Sequence, residues 1–211
     1  MLLSTLERRL EEKEKRRNEI VDAAERVFAK KGYEKASMGD VADAARLSRG
    51  LLYVYFKDKK DLYMAIAARA MEMLLDKFEK VVQGKANGFE KMRAIGDAYI
   101  RFAHEQPEYF ETMGQYVGTS EIESPSFEAC HESSEGIFKL MGAIIQEGIH
   151  DGSIRADIGD PLLTAVNLWG LTHGLLVIGM AKGEHLEQEH GVPMTLFMEH
   201  GMAMIDRILQ P

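Results

Sequence analysis

The sequence predicts an all-α protein, with an N-terminal three-helix unit of helix-turn-helix type followed by a larger helical domain. Three observations carry this. Apolar residues recur at helical spacing along most of the chain, capping residues stand where those runs begin, and no strand of useful length is needed between Ser37 and Met73.

The first helix lies in "NEIVDAAERVFAKKG", where Ile20, Ala23, Ala24, Val27 and Phe28 repeat on one face and Gly32 is a natural stop. Ser37 with Asp40 forms the next capping box, because the hydroxyl accepts from a free backbone N–H and the carboxylate answers back. A very short helix, "MGDVADAA", follows, with Val41 and Ala44 or Ala45 facing inward, and "RLS" turns the chain into a third helix capped by Ser48. Asp58 and Asp61 repeat the capping pattern before a longer fourth helix whose inward stripe is Leu62, Ile66 and Met73. Two short helices joined by a tight turn and braced by a longer one make a helix-turn-helix arrangement.

Beyond residue 70 the fourth helix continues to about 83, "QGKANG" breaks it, and another helix runs from about Phe89 to Glu105, ended by Pro107. Residues 116–126 read as a loop with a cap at Ser126, and a long helix is expected from Phe127 to His150. Asp160 and Pro161 are a good cap and first-turn pair for an apolar stretch, Leu162 to Met180. Thr164, Asn167, Thr172 and His173 punctuate that stretch and no charged anchors flank it, so burial against its own domain and a second subunit is preferred to a membrane span. A last helix, Pro193 to Leu209, offers Leu196 or Phe197, His200, Met204 and Ile208 as a stripe.

Charge divides the chain in the same place. The total of −8 argues against a nucleic-acid partner when taken alone, but residues 1–69 hold 16 basic and 12 acidic side chains, a net of +4, and residues 70–211 hold 10 and 22, a net of −12. An acidic protein with this distribution can still present a cationic face. The single cysteine, Cys130, excludes an intrachain disulfide, and the N-terminus lacks an apolar run of signal-peptide length; a cytoplasmic protein is expected. Cys130 and His131 are adjacent and so diverge on a helix, and there is neither a glycine-rich phosphate loop nor a metal-spaced Cys/His cluster, so no enzyme, metal or cofactor is expected.

From Lys15 to about Leu62 the chain resembles the DNA-binding domain of the tetracycline-repressor-like (TetR) family of transcriptional regulators, through "FAKKGY", "VADAA" and "LYVYFKDKKDLY" in order. The resemblance implies a charged extension over 1–14, a DNA-binding domain over 15–69 and an effector-binding and dimerisation domain over 70–211. It also implies that the helix from Ser48 enters the major groove of double-stranded DNA, which admits one helix.

The residues implied in DNA contact are Ser37, Ser48, Arg49, Gly50, Leu51, Tyr53, Tyr55 and Lys59. Ser48 is a cap in any reading and a phosphate contact in this one; Arg49 can take a guanine edge, Gly50 allows close approach, and Leu51 can pack on a thymine methyl. The resemblance turns Tyr53 toward bases and sugar, Tyr55 toward a phosphate and Lys59 to a phosphate from the start of the fourth helix. Rings wedged between helices are the structural alternative for the two tyrosines. Leu52 and Phe56, four apart, define the buried side.

Three positions depart from the family pattern: Arg46 stands where glycine is usual in the turn, Gly39 offers no side chain, and Val54 replaces a commonly polar residue. Arg46 implies either a turn that avoids positive φ or accepted strain. The extension "LERRLEEKEKRR" reads as a solvated helix with i,i+4 ion pairs, since glutamates interrupt its basic residues, against the alternatives of a minor-groove arm or a free tail.

The resemblance further implies a homodimer through helices at about 161–180 and 193–209, a near-palindromic site, and a small effector bound among the C-terminal helices; the 13 methionines suit a hydrophobic one. Candidate lining residues are Met92, Tyr99, His104, Tyr109, Tyr116, Cys130, His131 and His173, aromatics, sulfurs or polar groups on apolar segments. A repressor is preferred to an activator because a bound dimer blocks polymerase without a further contact surface. The competing reading is a helical ligand-binding or scaffold protein without specific DNA binding.

Overall fold

The computed structural model describes residues 5–114 and 124–211, and among these the chain is helical throughout. The helices are α1 Thr5–Lys31, α2 Met38–Ala44, α3 Arg49–Tyr55, α4 Lys59–Val82, α5 Gly88–Glu105, α6 Pro107–Gly114, α7 Pro125–Asp151, α8 Pro161–His190 and α9 Met194–Leu209. They form two compact units. The first comprises residues 1–70 with 108–131, and the second 71–107 with 132–211.

In the first unit α1, α2, α3 and the start of α4 enclose Ile20, Ala23, Ala24, Val27, Val41, Leu52, Phe56, Leu62 and Ile66. Side-chain caps set the starts of α2, α3 and α4. Ser37 Oγ accepts from Asp40 N at 3.2 Å while Asp40 Oδ2 accepts from Ser37 N at 3.0 Å, closing the expected capping box. Lys31 joins Asp40 at 2.5 Å, and this bond first, then those from Ser37, holds the Asp40 carboxyl at about 2. Ser48 Oγ caps α3 through Leu51 N, and Asp58 Oδ1 caps α4 through Asp61 N at 2.8 Å.

The turn between α2 and α3 resolves the alternative at Arg46, which adopts φ 57 and therefore accepts left-handed strain of about 1–2 kcal/mol. Leu47 N, bonded to Ala42 O at 2.8 Å, closes that turn around it. α6 belongs to this unit: Tyr109 Oη donates to Glu25 Oε1 at 2.8 Å, and Arg69 Nη1 bonds Asp22 at 2.7 Å and Glu25 at 2.9 Å.

The second unit packs the rest of α4 and α7 with α5, α8 and α9. Gly88 and Gly148 let α5 and α7 cross at backbone contact, since a Cβ on Gly88 would run into Gly148 Cα. The 151–153 turn then ties down the start of α5, with Asp151 Oδ2 accepting from Gly88 N at 3.0 Å and Ser153 Oγ from Phe89 N at 3.1 Å.

Several expectations need correction. Pro107 ends α5 but also opens α6, since proline suits the first turn of a helix whose N–H would be unpaired anyway. The cap of α7 is Ser124, whose Oγ accepts from Phe127 N, whereas Ser126 is buried and its Oγ accepts from Arg17 Nη2 at 3.0 Å. α8 does not stop at Met180: good helix formers carry it to His190, where Gly191 at φ 63 reverses the chain. Ala45 rather than Ala44 turns partly inward, and Met73 is only half-buried while Leu74 and Phe78 are buried.

On α9 the inward residues are Met198, Gly201, Ile205 and Leu209, so Leu196, Met204 and Ile208 of the expected stripe face outward in the single chain. α8 is long and apolar enough to cross a membrane by length and composition: its most apolar 18 residues have a mean hydropathy of 1.5, and 33% of them are buried. Its outward apolar residues, Leu162, Leu163, Val166, Leu171, Val177, Ile178 and Met180, lie beside those of α9 on the same helical hairpin.

Candidate functional site

α3 has two faces because it is one short helix pinned at alternate turns. Leu52 and Phe56 are fully buried, and Arg17 stacks its guanidinium carbon 5.1 Å above the Phe56 ring. The opposite face is open: Ser48, Arg49, Gly50, Leu51 and Tyr53 are exposed, Tyr53 by 53%, and Val54 beside them by 72%. Tyr55 is half-buried against the core cluster. The two tyrosines two residues apart therefore part company, one outward and one at the edge of the core.

Gly39 has a definite role. Arg49 lies across it, so that a Cβ at residue 39 would stand 2.6 Å from Nη2 and 3.1 Å from Cζ and Nε. The missing side chain makes the bed on which the first side chain of α3 rests. Ser37 is exposed, but its hydroxyl is engaged, accepting from Asp40 N and donating to Asp40 Oδ2 at 2.8 Å.

Lys59 sits differently from its expected presentation. Its ammonium donates to the carbonyl oxygens of Tyr33 at 2.8 Å, Ala36 at 3.2 Å and Glu34 at 3.3 Å, and lies 4.3 Å from the Tyr33 ring centroid. An ammonium has three donors, and three carbonyls take them. In this arrangement Lys59 ties the α1–α2 connection to the start of α4.

The second unit holds a narrow apolar cavity of about 30 Å³ among α4, α5, α7, α8 and α9. Met92, Met141, Met202 and Leu168 supply flexible apolar wall, and Tyr99, Trp169, Arg93 and Asp206 supply polarity. The Tyr99 hydroxyl, 2.8 Å from His173 Nδ1, also takes the Trp169 indole N–H, and the Trp169 and His173 rings stack at 5.1 Å. Burial raises the Tyr99 pKa and lowers that of His173, so both are neutral at pH 7. Arg93 Nε and Asp206 Oδ2 face each other at 3.4 Å, and Asp206 is raised chiefly by burial.

Of the effector candidates, Met92 and Tyr99 line this cavity and His173 stands behind Tyr99. His104 is exposed on α5, and Tyr109, Cys130 and His131 belong to the first unit, where burial pushes the Cys130 thiol to about 11 and His131 stacks on Phe127. Tyr116 lies outside the described residues. Sequence reasoning missed Trp169, Thr172, Met141 and Met202. The signal available was the polar punctuation of the apolar run, in which Trp169 and His173 fall four apart. Among the described residues no three His, Cys, Asp or Glu side chains gather as a metal site.

Residues 20–66 match the family model "Bacterial regulatory proteins, tetR family", and residues 92–203 match "Tetracyclin repressor-like, C-terminal domain". The chain belongs to the TetR family. It is a regulatory, DNA-binding member by these two matches, and its all-α architecture is that of the family.

A curated relative, the HTH-type transcriptional activator FasR of Mycolicibacterium smegmatis, is 24% identical over 131 residues, 61% of this chain and 60% of its own length. Among solved structures, FadR from Bacillus subtilis in complex with stearoyl-CoA is similar at a TM-score of 0.69 and 19% identity, covering 90% of this chain and 96% of that one. AibR in complex with isovaleryl coenzyme A and operator DNA is similar at 0.59 and 22%, covering 76% and 85%. These structural likenesses concern the fold.

Proposed function

We propose that the chain is a dimeric repressor that grips a near-palindromic operator through α3 of each protomer and releases it when a hydrophobic acyl effector, carried as a coenzyme A thioester, enters the second unit. The observation that carries the DNA reading is the divided α3: a helix fixed by Leu52 and Phe56 that offers Arg49, Gly50, Leu51 and Tyr53 to solvent. Arg49 takes a guanine edge, Leu51 a thymine methyl and Tyr53 bases and sugar, while Ser48 and Tyr55 reach phosphates and Ser37, whose hydroxyl proton goes to Asp40, acts by holding the start of α2. Lys59 contributes mainly by fixing the loop before α2, since its donors are already engaged.

The acyl reading rests on two supports. FadR and AibR, which share this fold, are complexes with stearoyl-CoA and isovaleryl coenzyme A, and the cavity here is walled by methionines, which adapt to soft apolar ligands. At about 30 Å³ the cavity holds no acyl chain without movement of its walls. Entry therefore favours a different arrangement of α5, α8 and α9, and a ligand shifts an equilibrium only by such differential affinity. The outward apolar residues of α8 and α9 support a homodimer that pairs these helices as a four-helix bundle. The protein works in the cytoplasm, where the DNA is.

Selection from random DNA duplexes tests the proposal. An enriched near-palindrome, abolished by Arg49→Ala and Tyr53→Ala and released by long-chain acyl-CoA, is expected. Failure to enrich any sequence would leave the scaffold reading.

A further inference from the structure

α1 extends well beyond the three-helix core, and its inward stripe changes chemistry where the core ends. Ile20, Ala24 and Val27 are buried on that stripe. Continuing toward the N-terminus at the same three- and four-residue spacing come Arg16, Lys13 and Arg9, all exposed. Glu7, Glu11 and Glu14 lie two residues out of step with them, about half a turn away on the opposite face. Glu7, Glu11 and Glu14 are thus separated from the basic stripe on the helix, whereas Glu12 stays beside it.

Arg9, Lys13 and Arg16 share a cleft with Tyr55, the last residue of α3, and Glu12 and Glu19 border one side of it. Glu19 is answered by Arg16 at 2.7 Å. From this juxtaposition we propose that the α1 extension is a second DNA-binding element: its Arg9–Lys13–Arg16 stripe, with the Tyr55 hydroxyl at its inner end, receives backbone phosphates flanking the bases that α3 reads. The inference rests on α3 being the reading helix. A duplex seated on α3 carries its phosphate backbone past the end of that helix, where the cleft presents cations at steps of about 4.5–6 Å along α1. Such contacts add grip without sequence preference.

The test compares full-length wild type, R9Q/K13Q/R16Q, and E7K/E11K, which adds positive charge on the opposite face; glutamine and lysine both keep the helix, verified by circular dichroism. Affinity for the selected duplex is measured from low to moderate salt. For the triple variant we expect the slope of log K against log salt to become shallower by about 0.9 for each phosphate that the variant no longer neutralises, with the preferred sequence unchanged. Affinity near 0.1 M salt should fall about ten-fold or more, and E7K/E11K should leave the slope close to wild type. Equal slopes for wild type and the triple variant would overturn the inference while leaving α3 recognition intact, and so would an equally large slope change from E7K/E11K, which would mark net charge alone. Wild type without duplex preference would instead remove the α3 reading, and this inference with it.

Discussion

Adding one methyl group at Gly39 should raise stability and lower operator recognition together. Glycine lies in the first turn of α2 with ordinary helical φ, so alanine fits the backbone and gains up to about 1 kcal/mol of helix propensity, or a melting temperature about 2–4 °C higher for a chain of this size. The new Cβ, however, would meet Arg49 Nη2 at 2.6 Å. Carbon contacts settle at about 3.5 Å or more, so the guanidinium retreats by about 1 Å. A bidentate arginine–guanine pair gives about 1–3 kcal/mol of discrimination. Losing half of that geometry costs about 1 kcal/mol, a five- to ten-fold weakening for each half-site. Thermal melting and anisotropy titrations, with the selected operator and with its guanine replaced, measure both effects. A higher melting temperature with unchanged affinity and base preference would refute the proposed placing of Arg49 by Gly39.

Lys59→Ala removes three carbonyl bonds and the contact with Tyr33, and should destabilise the first unit by about 1–3 kcal/mol in denaturant melts, whereas a lysine serving only as a phosphate contact would leave stability alone. His173 has its pKa lowered by burial, so the folded protein takes up fewer protons there than the unfolded chain; its contribution is complete above about 6.5 and is lost as pH falls below that value. The melting temperature should therefore drop more between pH 7.5 and 5.5 in wild type than in His173→Gln, and equal drops would contradict this. Leu171→Arg places a charge among the outward apolar residues of α8 and should give monomers by sedimentation at micromolar concentration, with folding retained.

Much of this arrangement is legible in the sequence because it is local. The capping pairs at Ser37, Ser48 and Asp58, and the four-residue step from Leu52 to Phe56, are decided within one helical turn. What escapes the sequence depends on distant partners. Ser126 looks like a cap, but Ser124 takes that role while Ser126 meets Arg17 from α1. Lys59 looks like a free cation at a helix start, and only the fold brings the carbonyls of residues 33, 34 and 36 beneath it. Gly39 reads as a missing side chain, and only the fold lays Arg49 across it. The cavity is half legible: Met92, Tyr99 and His173 stand out on their segments, yet Trp169, which joins the latter two, is identified only when α5 and α8 meet. The α1 extension is legible as a solvated helix, and residues 6–16 are exposed on α1.

On the proposed function, an acyl ligand in the second unit releases DNA held by the first. Its most direct measurement is anisotropy of a labelled, selected near-palindrome bound to the full chain, titrated with stearoyl-CoA and, separately, with free coenzyme A. Saturable release by the acyl thioester, and none by coenzyme A alone, is expected. Operator affinity that stays constant while the acyl thioester demonstrably binds would contradict it.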